Sequence, residues 1–126
     1  MSADILEISE SIREYVSTQQ HIVAVYLFGS VATKKMRTSS DLDIAMMTTC
    51  RIGGFERIEI ETELSGLLHK DVDLVIFHQA EVLLQHQILK YGFLLCEKNA
   101  SERVKQETIS RREYLDTRFL FKELTV

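Results

Sequence analysis

Three aspartates and a Gly-Ser pair are the residues of this 126-residue chain whose types and spacing could do chemistry. Gly29-Ser30 closes the apolar run "HIVAVYLF", ten residues follow, and Asp41-Leu42-Asp43 opens the next apolar run, "DLDIAMM". Side chains alternate along a strand, so Asp41 and Asp43 project from one face with Cα atoms about 6 to 7 Å apart. At an effective dielectric of 20, two unit charges at that separation repel by roughly 2.5 kcal/mol, a large share of a marginal domain's stability. A divalent cation offsets the repulsion. A lone Asp-x-Asp at a strand entrance is more often a turn or a helix cap. Joined to Gly-Ser at a fixed gap, it should arise by chance roughly once in five hundred chains of this length.

Hard cations such as Mg²⁺ take few carboxylates and complete their shells with water and phosphate oxygens, which points to a nucleoside triphosphate. Gly29 lets the chain turn sharply off the first strand. Ser30, at the start of a short helix, offers a hydroxyl and backbone N–H groups to phosphate oxygens. A two-metal division of labour needs a third carboxylate, so that one ion activates an attacking hydroxyl while the other holds the triphosphate. Asp73, inside "VDLVIF", is the choice, because an uncompensated charge in such a strand is costly. Asp71 has the same parity. It follows Lys70 at a loop, which makes a solvated turn residue the simpler reading.

The elements that must position these groups follow from periodicity. Ile5, Leu6, Ile8, Ile12, Tyr15 and Val16 recur at helical spacing, with Ser2 or Asp4 as a cap. His21 to Phe28 reads as a strand buried on both faces, Asp41 to Met47 as a second strand, and Val72 to Phe77 as a third. Between them, Phe55, Ile58, Glu61, Leu64, Leu67 and Leu68 mark a helix whose other face carries Glu56, Glu59 and Glu63. A helix over Ala80 to Lys90 turns Val82, Leu83, Ile88 and Leu89 inward, Tyr91-Gly92 stops it, and Phe93 to Glu97 is a short fourth strand or an extended edge. From Ser101, a cap by residue type, a last helix runs on, unbroken or broken once. The order implies an α/β (α+β) domain, a small mixed sheet flanked by helices, with residues 1–126 forming one unit. Tyr114, Leu115, Phe119, Leu120 and Phe121 exceed what one core-facing stripe needs, so segment 101–126 serves either the core or a partner.

Composition sets outer bounds. The hydrophobic fraction of 45% and charged fraction of 27% are those of a chain that folds. A formal net charge of -4 gives no electrostatic footprint for nucleic acid, so direct nucleic acid binding is not expected. Cys50 and Cys96 lie far apart without metal-ligand spacing and read as free thiols of a reducing cytoplasm. An acidic N-terminus and the lack of a long apolar run argue against a signal peptide or a membrane span, so the expected location is cytoplasmic. The four histidines share no short spacing and are assigned no role.

Gly29-Ser30, the ten-residue gap, Asp41-Leu42-Asp43 and Asp73 together resemble the signature of the polymerase-β-like nucleotidyltransferase superfamily. Small size, "VDLVIF" and "ILKYGFLLCEKN" are similar to the minimal nucleotidyltransferase (MNT) group, and within it to MntA-type antitoxins of HEPN/MNT toxin-antitoxin pairs. The resemblance implies the polymerase-β-like fold and a protein adenylyltransferase that uses ATP and two Mg²⁺ ions. It further implies transfer of AMP to a tyrosine of a HEPN-domain ribonuclease toxin, which neutralises that toxin. Asp41, Asp43 and Asp73 would be catalytic and metal-binding, and Gly29 with Ser30 would bind the outer phosphates. Where family members commonly continue Gly-Ser with Ala-Arg-Gly, this chain reads "VATKKM". Lys34, Lys35 or Arg37 then serves the triphosphate as a point charge, or the loop is merely solvated. Two other readings stand beside this one: a small-molecule nucleotidyltransferase of the aminoglycoside-modifying type, and an antitoxin that masks its toxin without catalysis.

Overall fold

A computed structural model describes the backbone of residues 3–29 and 41–124, with side chains from residue 5 to residue 118. Ser30, the "VATKKM" segment, Lys34, Lys35 and Arg37 fall outside the described residues, as do the cap candidate Ser2 and the side chains of Asp4, the other cap candidate, and of Phe119, Leu120 and Phe121. The described elements run α1 (Ala3–Ser17), β1 (Ile22–Phe28), β2 (Leu42–Thr48), α2 (Gly54–Leu68), β3 (Val72–Ile76), α3 (Val82–Tyr91), β4 (Phe93–Glu97) and α4 (Ala100–Leu124). A 3₁₀ turn over Phe77–Gln79 leads from β3 toward α3. The strands form one mixed sheet in the order β3-β2-β1-β4. β1 is antiparallel to both β2 and β4, and β2 is parallel to β3.

Helices cover both faces of the sheet, and the alternation of strand side chains divides the core accordingly. Ile5, Ile8, Ile12 and Val16 of α1 and Leu64 of α2 pack on Val25, Leu27, Leu42, Ile44, Met46 and Leu74. On the other face, Ile88 of α3 and Phe77 pack on Val23, Tyr26, Ala45 and Met47. β1 is buried throughout until Phe28, as its unbroken apolar run predicts. β4 is a true strand at the sheet edge beside β1.

Several sequence expectations are corrected. β2 begins at Leu42, leaving Asp41 exposed just ahead of it, and β3 ends at Ile76, with Phe77 opening the 3₁₀ turn. α3 starts at Val82 rather than Ala80, and its inward positions include Gln85 while Leu83 is exposed. Gln85 is acceptable there because its amide donates to the carbonyls of Phe77 and Ala80 at 2.9 and 3.1 Å. α4 is unbroken, and its cap is Asn99 rather than Ser101: the Asn99 side-chain oxygen accepts the Glu102 N–H at 3.0 Å.

α2 departs furthest from its apolar pattern, since Phe55, Ile58 and Leu67 are exposed. Beside the buried Leu64, polar residues face the edge of the sheet. Ser65 Oγ accepts the Val72 N–H, Glu61 accepts the Leu74 N–H, and Arg57 donates to the Leu74 carbonyl while pairing with Glu61 at 3.2 Å. These three side chains occupy hydrogen-bonding groups on the outer edge of β3. The edge is thereby closed to another strand.

Candidate functional site

Asp43 sits between Leu42 and Ile44, both in the α1/α2 core, so its side chain points to the α3/α4 face of the sheet. Asp73 sits likewise between Val72 and Leu74. The parallel pairing of β2 with β3 sets Asp43 directly against Asp73, and the antiparallel pairing of β1 with β2 sets Phe28 against Asp43 on the other side. The register begins at Leu42↔Val72, and the Leu42 N–H donates to the Asp71 carbonyl at 2.9 Å. Asp71 is therefore an exposed turn residue that helps fix the register.

Gly29 turns the chain off β1 with φ +76, in the left-handed region that favours glycine. A Cβ built there would overlap the Asp43 carboxylate at Oδ2. Gly29 is required both by its backbone angle and by the carboxylate closed against it. Asp43 is consequently half-buried, and its carboxyl is held above the usual range, first by burial, then by the charges of Asp73 and Asp41. The charges of Asp73 and Asp41 thus both bear on Asp43.

Among the described residues, no group of three His, Cys, Asp or Glu side chains is gathered closely enough to hold a metal ion. Asp43 and Asp73 are brought together side by side, whereas Asp41 remains at the exposed strand entrance. The donor set suits a hard cation: carboxylate oxygens without sulfur or imidazole, with the charges of Asp73 and Asp41 adding to burial in raising the proton affinity of Asp43. Ser30 lies outside the described residues, so of the predicted phosphate-binding pair only Gly29 is placed.

A second feature lies on the same face. α3 and α4 flank a groove of about 450 Å³ in which His86 and Tyr114 stack at 3.6 Å between ring centroids and nearly parallel. Lys90, Arg111 and Arg118 also line it. Sequence reasoning assigned these residues no joint role. The available signal was the spacing of Arg111, Tyr114, Leu115 and Arg118, which puts them on one stripe of a helix.

Comparison with known proteins places the chain. The profile of the Polymerase beta nucleotidyltransferase family matches residues 10–101, and the chain belongs to that family. It is 34% identical over 68 residues to the protein adenylyltransferase MntA of Shewanella oneidensis, a match covering 54% of this chain and 49% of that protein. The matched region thus spans about half the length of the relative. In fold, the chain is similar to a toxin-antitoxin crystal structure with AMP-PNP, at TM-score 0.73 and 22% identity, covering 94% of this chain and 98% of that one. It is also similar, at TM-score 0.69 and 21% identity over 97% of this chain and 99% of that one, to a chain in a structure of tri-AMPylated Shewanella oneidensis HEPN toxin in complex with MNT antitoxin. The α/β fold with its four-stranded mixed sheet is the nucleotidyltransferase fold of these neighbours.

Proposed function

We propose that this chain is a Mg²⁺-dependent protein adenylyltransferase that transfers AMP from ATP to a tyrosine of a HEPN-domain toxin, and acts as that toxin's antitoxin. The observation that carries the reading is the side-by-side register of Asp43 and Asp73, with Gly29 closed onto the Asp43 carboxylate. Family membership supports nucleotidyl transfer, and the likeness to MntA supports the choice of AMP and of a protein acceptor.

Asp41, Asp43 and Asp73 are the residues that would hold Mg²⁺. When bound, the ions neutralise triphosphate charge and favour the deprotonated acceptor hydroxyl. Gly29 leaves room for the Asp43 carboxylate, and Gly29 and Ser30 are the residues that would bind the outer phosphates. The acceptor tyrosine loses its phenolic proton, its oxygen forms a bond to the α-phosphorus of ATP, and the bond from that phosphorus to the bridging oxygen breaks. Pyrophosphate leaves. The work of the carboxylates is positioning and charge neutralisation rather than covalent chemistry.

The test mixes the protein with α-labelled ATP, Mg²⁺ and a HEPN-domain protein encoded beside it. Label on the partner, lost with Asp43→Asn or Asp73→Asn, supports the reading. Neutralisation of the toxin that survives both substitutions without label would establish masking instead.

A further inference from the structure

The groove between α3 and α4 is at the same end of the sheet as the carboxylates. α3 ends at Tyr91, and Phe93 two residues later pairs with Leu27 near the end of β1 that carries Gly29. α4 starts at the far end, where the Lys98 and Asn99 N–H groups donate to the Val23 carbonyl, and it passes Tyr26, whose hydroxyl donates to Glu107. From Glu107 to Tyr114 the helix climbs about 10 Å. From Tyr26 to Gly29 the strand climbs about 10 Å as well. Tyr114 and Arg118 are therefore placed toward the carboxylate end of the sheet, on the face to which Asp43 and Asp73 point, with His86 stacked on Tyr114 from α3.

The lining has an unusual charge for this protein. In a chain of net charge -4, the groove carries Lys90, Arg111 and Arg118 and, among the described residues, no carboxylate. Glu107 touches Arg111 at 3.5 Å from below, but its other oxygen is taken by Arg103 at 2.9 Å and by Tyr26. Arg111 and Arg118 are exposed, and their forks suit the paired oxygens of a phosphate. The stacked rings of His86 and Tyr114 add a flat wall, with Leu115 beside them at 58% exposure. A volume of about 450 Å³ is that of a small-molecule site.

We infer that this groove is a second, metal-independent binding site for an adenosine monophosphate group, separate from the ATP site at the carboxylates. Resting on the adenylyl-transfer reading, it would receive the group that the reaction makes: an AMP already esterified to the acceptor, held beside the carboxylates when a further ATP enters. The cations bind the phosphodiester and the ring wall faces the base. Free AMP and an AMP ester share this chemistry.

The test titrates the full chain, without Mg²⁺, with AMP and with the AMP ester of N-acetyltyrosinamide, following the His86 and Tyr114 ring resonances by NMR. Both probes are expected to shift these resonances, the ester at least as tightly as AMP. Arg111→Ala with Arg118→Ala should weaken both by about tenfold or more, while Mg-ATP affinity changes less than about twofold and thermal unfolding is unaltered. Three results would overturn the inference: no shift at His86 and Tyr114, an equal loss of Mg-ATP affinity in the double variant, or displacement of the probes by an octaglutamate peptide, which would mark an acidic protein segment as the occupant. Failure of the transfer reading is seen separately, as absence of label on the HEPN protein.

Discussion

Asp43 is a residue whose placement opposes stability. Its carboxyl proton is bound more tightly in the folded chain than in the unfolded one, because burial and the charges of Asp73 and Asp41 disfavour ionisation. Its contribution to stability is therefore fully present below the ordinary aspartate pKa and is lost as pH rises through the elevated folded value. Without metal, the unfolding midpoint should rise on acidification through that window, and Asp43→Asn should flatten the trend. The same substitution should stabilise the metal-free protein by about 1 kcal/mol, a shift of several degrees in Tm, and reduce AMP transfer by about a thousandfold or more. Calorimetry with and without Mg²⁺ checks the first effect, and label transfer checks the second. Gly29→Ala should cost about 1–2 kcal/mol from the left-handed backbone alone. Its Cβ must also displace the Asp43 carboxylate, so activity should fall with stability. The sequence made Asp43 and Asp73 visible, since a charge inside an apolar strand stands out. It did not reveal that Gly29 closes onto Asp43, because that contact depends on how two strands pair.

At the scale of elements, β3 is held where Asp73 meets Asp43 by polar side chains of α2 along its outer edge as well as by the apolar contact of Leu64 with Leu74. Glu61→Ala should leave the Leu74 N–H without its acceptor and Arg57 without its ion pair, costing about 1–3 kcal/mol. Hydrogen exchange should show the Leu74 amide losing protection before the amides of β1. The apolar periodicity of α2 places Glu61, Leu64 and Leu68 correctly, but Phe55, Ile58 and Leu67 are exposed, because the outer edge of β3 takes its donors and acceptors from Arg57, Glu61 and Ser65. Strand existence was legible from apolar runs, but the parallel pairing of β2 with β3 was not, since it joins segments far apart in the chain. In α3, spacing predicted an inward Leu83, and the carbonyls left by the 3₁₀ turn selected Gln85 instead.

For the whole molecule, α4 is fixed to the sheet through a buried cluster. Tyr26 donates to Glu107, and Arg103 bonds both Glu107 and Glu97. Burial raises the Tyr26 phenol further above its usual range, with the Glu107 hydrogen bond as the next cause. Arg103 is likewise raised, first by its bond to Glu97 and then by that to Glu107. Tyr26→Phe should destabilise the fold by about 1–3 kcal/mol by removing one donor from a buried carboxylate. A hydroxyl in a fully buried strand signalled that such a partner must exist, without saying which residue it was. The cluster sets where along β1 the helix α4 crosses the sheet. The most direct test of the account is transfer of α-labelled AMP to the neighbouring HEPN-domain protein in the presence of Mg²⁺, by the native chain and by Asp43→Asn. The account predicts label on a tyrosine of the partner with the native chain and none with the variant. Toxin neutralised without label, or label undiminished by Asp43→Asn, would contradict it.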